Sequence, residues 1–584
     1  MTTVAGGPGS TASLALEDRL TPQQVALGST FVSDRTLIAG QVKADARRSA
    51  RALHEAMADA DARTSAGDRA GQPPVAAHVR PHDHEPLTAD AADHTVDRTD
   101  ANQTLRTQVS QGVRWGVIAS IATQVGRFAF VAALMRLLGP ENFGIVGQAT
   151  VYITITYIFL HLGTAATIIQ RPQLEEAEAG SAWWVNVALG SLLAGLTLVT
   201  APVLADFFRT EQLTAVLRVL SICFVLKAMA VVPMALLYRG MRFRSLGIAE
   251  IVSTLLGGAL AIVAAANGAG YWALVVQTVA MDAIYLTALF WIGGRPELAW
   301  SATAARRLWS FSSRVMGSEL VRYMSENSDK FLVARFLGAT SLGFYSLAYR
   351  VLQLPLLMME QGGRVILPTF SRLQDDRERL ARVFLRMSES VALAVCPLMT
   401  LTILCAPVAV PAVFGEAWAP AVVPLQLLAA MTIQYLIFSI SGSVVLAVGH
   451  ADWEFRWSLF TMVVALISFG VGINWGITGV AAAYLIMGLA LSPIRFIIIQ
   501  RVIPISALGY LRSLTPAVAS SAALCGAWLL VTAALGGTAS GLALVVCGSG
   551  AGLAAYLVAA RVLWPQDLRY QLEFARLVVR GGGA

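Results

Sequence analysis

The sequence predicts an all-α polytopic membrane protein: fourteen transmembrane helices in two pseudo-symmetric six-helix lobes, followed by a C-terminal helix pair. Three observations predict it. Of 584 residues, 56% are hydrophobic and only 14% charged, far from the balance of a soluble domain. From Val113 onward, apolar segments of about 20 residues follow one another, each long enough to cross a hydrocarbon core of about 30 Å at about 1.5 Å per residue. A short motif also recurs at an offset of 199 residues, in the same topological place both times.

Residues 1–108 hold no apolar run of spanning length. Rich in Ala, Asp, Arg, Thr and Gly, they read as a disordered cytoplasmic tail, and the start shows no signal-peptide pattern. The tail segment "HVRPHDHEP" (His78 to Pro86) reads as solvated chain rather than a metal site, because its prolines fix no ligand geometry. The N-terminal lobe, 109–295, contains spans at 113–135, 143–163, 183–205, 213–237, 246–267 and 271–292. The C-terminal lobe, 296–505, contains spans at 309–336, 342–366, 389–411, 420–447, 455–473 and 478–500. Spans 514–535 and 540–563 form the final pair within 506–565, and 566–584 is a cytoplasmic C-terminal tail. Gly and Pro punctuate joins such as "LLGPENFG", "AANGAGYW" and "ALGGTASG", and such short turns imply antiparallel neighbours.

Orientation follows from the arginines and lysines, which are retained on the cytoplasmic side when they flank a span. They collect in "YRGMRFR" (Tyr238 to Arg244), at Arg295, Arg306 and Arg307, in "SRLQDDRERLARVFLR" (Ser371 to Arg386), at Arg501 and Arg512, and in the C-terminal tail. The alternate connections near 267–271, 411–420, 474–478 and 535–540 contain none. Both termini are therefore expected in the cytoplasm, which agrees with an even number of spans. All five cysteines lie in apolar runs with no CxxC spacing and read as small core residues. Five of the seven histidines precede the first span, so histidine-based catalysis in the membrane is not expected.

"MRLLGPENFGIV" (Met135 to Val146) matches "ARFLGATSLGFY" (Ala334 to Tyr345), sharing Arg136/Arg335, Leu138/Leu337, Gly139/Gly338 and Gly144/Gly343. Each copy ends an odd-numbered span, turns outside, and begins the next. Just before the second copy, span 7 carries Glu319, Arg322, Glu326, Asp329 and Lys330, whose gaps place them along one helical face. An ionised residue near the midplane costs about 2.5–3.5 kcal/mol on insertion scales, so this face is expected to meet protein or water rather than lipid. The repeat sets Arg127 of span 1 in the place of Glu326, and span 8 adds Arg350, Glu360 and Arg364. Two readings stand at this point: the charges satisfy one another and lock the bundle, or they line a wet cavity between the lobes that takes a polar, anionic substrate. Lysine is scarce, occurring only at Lys43, Lys227 and Lys330, which makes a compact ammonium at 330 a specific choice.

"NSDKFLVARFLGATSLGFYSLAYRV" (Asn327 to Val351), "TIIQRPQLEEAEAGSAWWVNVALG" (Thr167 to Gly190), "LLYRGMRFRSLGIAE" (Leu236 to Glu250), "VILPTFSRLQDDRERLARVF" (Val365 to Phe384) and "NWGITGVAAAYLI" (Asn474 to Ile486) together resemble the Wzx-type polysaccharide flippases of the multidrug/oligosaccharidyl-lipid/polysaccharide exporter superfamily, in the branch of the colanic acid and teichuronic acid exporters. The likeness covers residues 105–505 and, more loosely, the last two spans; the long N-terminal tail departs from the family pattern. The resemblance implies a transporter in a bacterial plasma membrane that moves an undecaprenyl-diphosphate-linked oligosaccharide to the outer leaflet by alternating access. It implies no cofactor, no metal and no nucleic acid, and as partners the lipid-linked substrate, the bilayer, a polysaccharide polymerase and glycosyltransferases. The positions that match its basic cavity residues are Arg127, Arg322, Lys330 and Arg350; Glu326 and Asp329 become proton sites, sodium sites or countercharges. A cation-coupled multidrug antiporter of the same superfamily is the alternative, weakened by the extra helix pair. A membrane oligosaccharide-processing enzyme is the other, weakened because no external loop exceeds about twenty residues.

Overall fold

The computed structural model describes residues 90–160, 176–293, 299–302, 327–535 and 541–564, with isolated positions at 165, 168 and 169. Within these, the side chains of 90–122, 125, 158, 176 and 353–365 lie outside the description. The expectations for residues 1–89, for Glu319, Arg322 and Glu326, for the C-terminal tail, and for the side chains of Glu360 and Arg364 therefore fall outside the described residues. The described chain is all helical. Helix α1 runs Asp90–Leu160, so the helix begins well before the tail boundary expected at 108.

Helix α1 is two helices joined by a break at Gly139, whose φ of 72° and ψ of 173° are not helical. That break is the predicted "LLGPENFG" turn. A positive φ suits only glycine without strain, and Pro140 then restarts the helix, where its missing N–H costs nothing. Gly338, the equivalent of Gly139 in the second copy of the motif, has φ 81°. The rest of the N-terminal lobe is α2 (Glu176–Phe208), α3 (Gln212–Leu220), α4 (Ile222–Arg239), α5 (Phe243–Ala266) and α6 (Trp272–Gly293).

After the helical segment 327–336 come α7 (Gly338–Ser371), α8 (Arg377–Phe414), α9 (Val422–Ala447), α10 (Ala451–Gly472), α11 (Gly476–Gln500), α12 (Ala507–Leu535) and α13 (Gly541–Leu563). Helix α8 starts in the arginine-rich connection, where Asp376 Oδ1 accepts from the Arg379 N–H at 2.9 Å and caps it. Each predicted span overlaps a described helical segment, the seventh only from Asn327 onward. Ten continuous segments among the described residues are long and apolar enough to cross a bilayer. Some of these contain a break: Gly126–Tyr157 contains Gly139, Gln212–Arg239 contains α3 and α4, and Ala451–Gln500 contains α10 and α11.

The two copies of the repeated motif pack against each other reciprocally. A Cβ on Gly144 would lie 1.8 Å from the carbonyl oxygen of Ala339, and one on Gly343 would lie 2.2 Å from that of Pro140. Ala339 is the equivalent of Pro140 and Gly343 of Gly144, so the contact obeys the rule of an isologous two-fold interface. The flanks repeat the relation loosely: Arg136 Nη1 donates to the Ala412 carbonyl at 3.1 Å, and Arg335 lies 4.9 Å from the ring centroid of Phe207. Gln148 Nε2 adds a donated bond to Ala334 O at 3.2 Å. The short 3-10 turn Glu416–Ala421, expected only as an external loop, carries Trp418 fully buried in this seam. Its Nε1 donates to Met135 O at 2.9 Å, and its ring meets Phe143 and Phe344 edge-on. A buried indole N–H needs such a partner.

Candidate functional site

Asp329 and Lys330 leave the same helical segment in different directions. Asp329 is 2% exposed and accepts hydrogen bonds from the hydroxyls of Tyr345, at 2.9 Å, and Tyr349. These tyrosines stand four residues apart on α7, so both hydroxyls reach one carboxylate from one helix face. This corrects the expectation that Asp329 lines a wet cavity: the pair of charge-assisted bonds satisfies the acid in a dry contact between 327–336 and α7. Lys330 is half-buried, donates from Nζ to Asn327 Oδ1 at 2.9 Å, and sits 4.2 Å from the centroid of the Tyr349 ring. Tyr349 thus touches the acid through its hydroxyl and the ammonium through its face.

Arg350 follows Tyr349 on α7 and is exposed. It lies twelve residues into the helix, about 18 Å along its axis, which is the depth of the bilayer centre for a helix starting at one surface. Arg127 lies at similar depth in the first predicted span. It pairs with Glu250 of α5 at 3.1 Å, and the two side chains remain 46% and 43% exposed. The expected relation of Arg127 to Glu326 falls outside the described residues; the partner seen is Glu250. Of the six residues singled out from sequence, the structure brings Asp329 and Lys330 together at Tyr349, leaves Arg350 exposed one residue further along α7, leaves Arg127 with a partner in its own lobe, and does not describe Arg322 and Glu326.

Two charged clusters escaped the sequence reading. Lys227 of α4 pairs with Asp282 of α6 at 2.8 Å, and its ammonium lies 5.1 Å from the centroid of the Tyr157 ring. Arg495 of α11 is buried, donating from Nε to Ser441 Oγ at 2.7 Å and from Nη2 to Glu454 Oε2 at 2.8 Å, with its guanidinium over Trp457. Gly442 makes room for this triad, since a Cβ there would lie 2.9 Å from Glu454 Oε1. The usable signal was a charged residue in the interior of an apolar span, which marks Lys227, Asp282 and Arg495 alike. Among the described residues no group of three or more His, Cys, Asp or Glu side chains could hold a metal ion, and the five cysteines are free.

A family model described as "Polysaccharide biosynthesis protein" matches residues 133–423. The chain is 27% identical over 445 residues to the teichuronic acid biosynthesis protein TuaB of Bacillus subtilis (strain 168), an alignment that covers 75% of this chain and 89% of TuaB. It is 25% identical over 392 residues to the lipopolysaccharide biosynthesis protein WzxC of Escherichia coli (strain K12), covering 66% of this chain and 79% of WzxC. Among solved structures, the lipid II flippase MurJ in an inward closed conformation superposes with a TM-score of 0.61 at 13% identity, over 77% of this chain and 100% of MurJ. That last likeness is one of fold.

Proposed function

This chain belongs to the polysaccharide biosynthesis family, the Wzx-like flippases of the multidrug/oligosaccharidyl-lipid/polysaccharide exporter superfamily, and we propose that it flips an undecaprenyl-diphosphate-linked oligosaccharide, the repeat unit of a surface polysaccharide, from the cytoplasmic to the outer leaflet. The family is one of transporters, so the chain is not an enzyme. The machine is fourteen spans in two six-helix lobes plus a pair, set in a bacterial plasma membrane with both termini cytoplasmic. Transport is by alternating access: the lobes rock about the seam at Gly144 and Gly343, and the cavity opens to one side at a time. Reciprocal packing supports this, because a contact related by a two-fold axis lets both lobes turn by equal and opposite amounts.

The observation that carries the reading is Arg350. An exposed guanidinium in the middle of α7 would cost about 2.5–3.5 kcal/mol against acyl chains on insertion scales, and more in other treatments, so it faces a water-filled space. Arg350, Lys330, Arg322 and Arg127 then meet the diphosphate and any acidic sugars, with Arg particularly suited to bidentate phosphate contact. Glu326 and Glu250 are countercharges, and Asp329 positions Tyr349 beneath Lys330 rather than touching substrate.

The test is single neutralisation of Arg350, Lys330 and Arg322 to alanine in cells that depend on this chain for surface polysaccharide. Export is lost in each while the protein remains at its normal level in the membrane. Normal polysaccharide in all three variants overturns the cavity assignment. Orientation is checked by cysteine labelling in the 267–270 turn: reaction with an impermeant reagent from outside is expected, and reaction only from the cytoplasm reverses the topology.

A further inference from the structure

The Lys227–Asp282 pair lies between α4 and α6 of the first lobe, and its two halves have unequal surroundings. The lysine side chain is 36% exposed and the aspartate side chain 14%. Lys227 stands in the middle of the predicted fourth span, where the accessible part of a charged side chain is expected to meet water rather than lipid. On the closed side, Asp282 Oδ2 and the Tyr157 hydroxyl are both buried without a geometric hydrogen-bond partner among the described residues, while the Cys223 thiol lies against the carboxylate. A pair serving only to join two helices would be closed on both sides and satisfied on both. Here the cation is the more accessible half of the pair and the acid the more enclosed one.

Electrostatics ties the two halves together. If an anion draws the ammonium away, a carboxylate in a low-dielectric pocket is left uncompensated, and its neutral form becomes the stable one. A metal ion suits the pocket poorly, because the ammonium already holds the cation position at 2.8 Å and the flanking Tyr157 and Cys223 supply no further anionic oxygen. The remaining titratable groups on the packed elements are engaged or turned outward: Glu250 of α5 is held by Arg127, Arg218 of α3 is exposed, Arg239 at the end of α4 donates to the Ile168 carbonyl, and Arg244 begins α5. Tyr238 is exposed, Tyr285 lies on α6 itself, and of the acids on α2, which packs on α4, Glu178 is half-buried and Asp206 exposed.

We propose that Lys227 and Asp282 form an anion-linked proton site. An anionic group of the transported molecule takes the Lys227 ammonium, and Asp282 takes a proton from hydronium or a buffer acid in exchange; one O–H bond forms at the carboxylate and no electrons are transferred. The proposal rests on the transport reading above, and it assigns the first lobe a direct part in substrate charge recognition and in coupling.

The experiment is titration calorimetry of the full chain in lipid nanodiscs with undecaprenyl diphosphate, in two buffers of different ionisation enthalpy. Native protein should take up about one proton per ligand bound. Asp282→Asn should bind the ligand with no proton uptake, Lys227→Gln should bind it at least about tenfold more weakly, and Lys227→Arg should recover binding. Absence of uptake in native protein, or equal uptake in Asp282→Asn, overturns the proposal. Should Asp282→Asn fail to fold, native protein with isotopically labelled aspartate decides the matter: a protonated-carboxyl infrared band must appear on ligand addition, and its absence ends the idea. Should native protein not bind the lipid diphosphate, the transport reading fails. Inorganic diphosphate is then the probe, with proton uptake keeping the site and no uptake removing it.

Discussion

Replacing Gly144 with alanine places a methyl carbon where only 1.8 Å separates it from the carbonyl oxygen of Ala339. A comfortable carbon–oxygen contact is about 3.3–3.6 Å, so the two backbones must part by roughly 1.5 Å or more. The obstacle is main chain, not the end of a side chain, and cannot rotate aside. Overpacking of this kind costs about 1–3 kcal/mol, and the whole cost falls on the conformation in which the seam is closed. Converted at about 1.4 kcal/mol per decade, the closed population falls by roughly 5- to 150-fold relative to one in which the seam has parted. Spin labels at Glu141 and Thr340, exposed equivalents in the two copies of the motif, read the separation directly by pulsed dipolar spectroscopy. The expected result is growth of a longer-distance component in Gly144→Ala. The same growth is expected in Gly343→Ala, where the approach is 2.2 Å to the carbonyl oxygen of Pro140. An unchanged distance distribution in both variants, each folded and inserted, would refute the claim that the seam opens during transport.

Removing the Tyr345 hydroxyl with Tyr345→Phe deprives a buried carboxylate of a bond and should lower thermal stability in detergent by about 1.5–3 kcal/mol, with Asp329→Leu in the same background recovering part of the loss. Equal stability of Tyr345→Phe and native protein would mean that this hydroxyl does not stabilise the buried carboxyl. Glu454→Leu leaves Arg495 buried without its carboxylate and should destabilise by about 3–5 kcal/mol, whereas Glu454→Leu combined with Arg495→Met should be far milder; additive losses in a double-mutant cycle would deny the pairing. Trp418→Phe removes the bond to the Met135 carbonyl but keeps most of the ring contact, so a loss of about 1–3 kcal/mol in unfolding is expected, and no change would show that the carbonyl finds water instead.

Much of the architecture was legible because hydrocarbon enforces it. A run of about 20 apolar residues has one cheap disposition in a bilayer, and lipid leaves the backbone no alternative to a helix. For the same reason Gly139 and Gly338 could be read as turns and as copies of each other, and both adopt a positive φ. Arg350 and Lys330 could be flagged because a charge at membrane depth demands an explanation wherever it occurs. What helical periodicity cannot convey is which neighbour a face meets. Span 7 places Asp329 and Lys330 side by side in sequence, yet one is sealed by Tyr345 and Tyr349 and the other lies over the ring of Tyr349.

The sequence by itself determined the membrane-spanning helices, the repeated turn and the charges that had to avoid lipid, since each depends only on the transfer cost of a residue and on the conformations its backbone allows. The tertiary structure alone decided partners: Glu250 for Arg127, Asp282 for Lys227, Glu454 for Arg495, and the carbonyl of Met135 for Trp418. These contacts join residues 41 to 283 positions apart. Between such residues the chain's own geometry sets no distance, and only the packing of whole helices brings donor to acceptor.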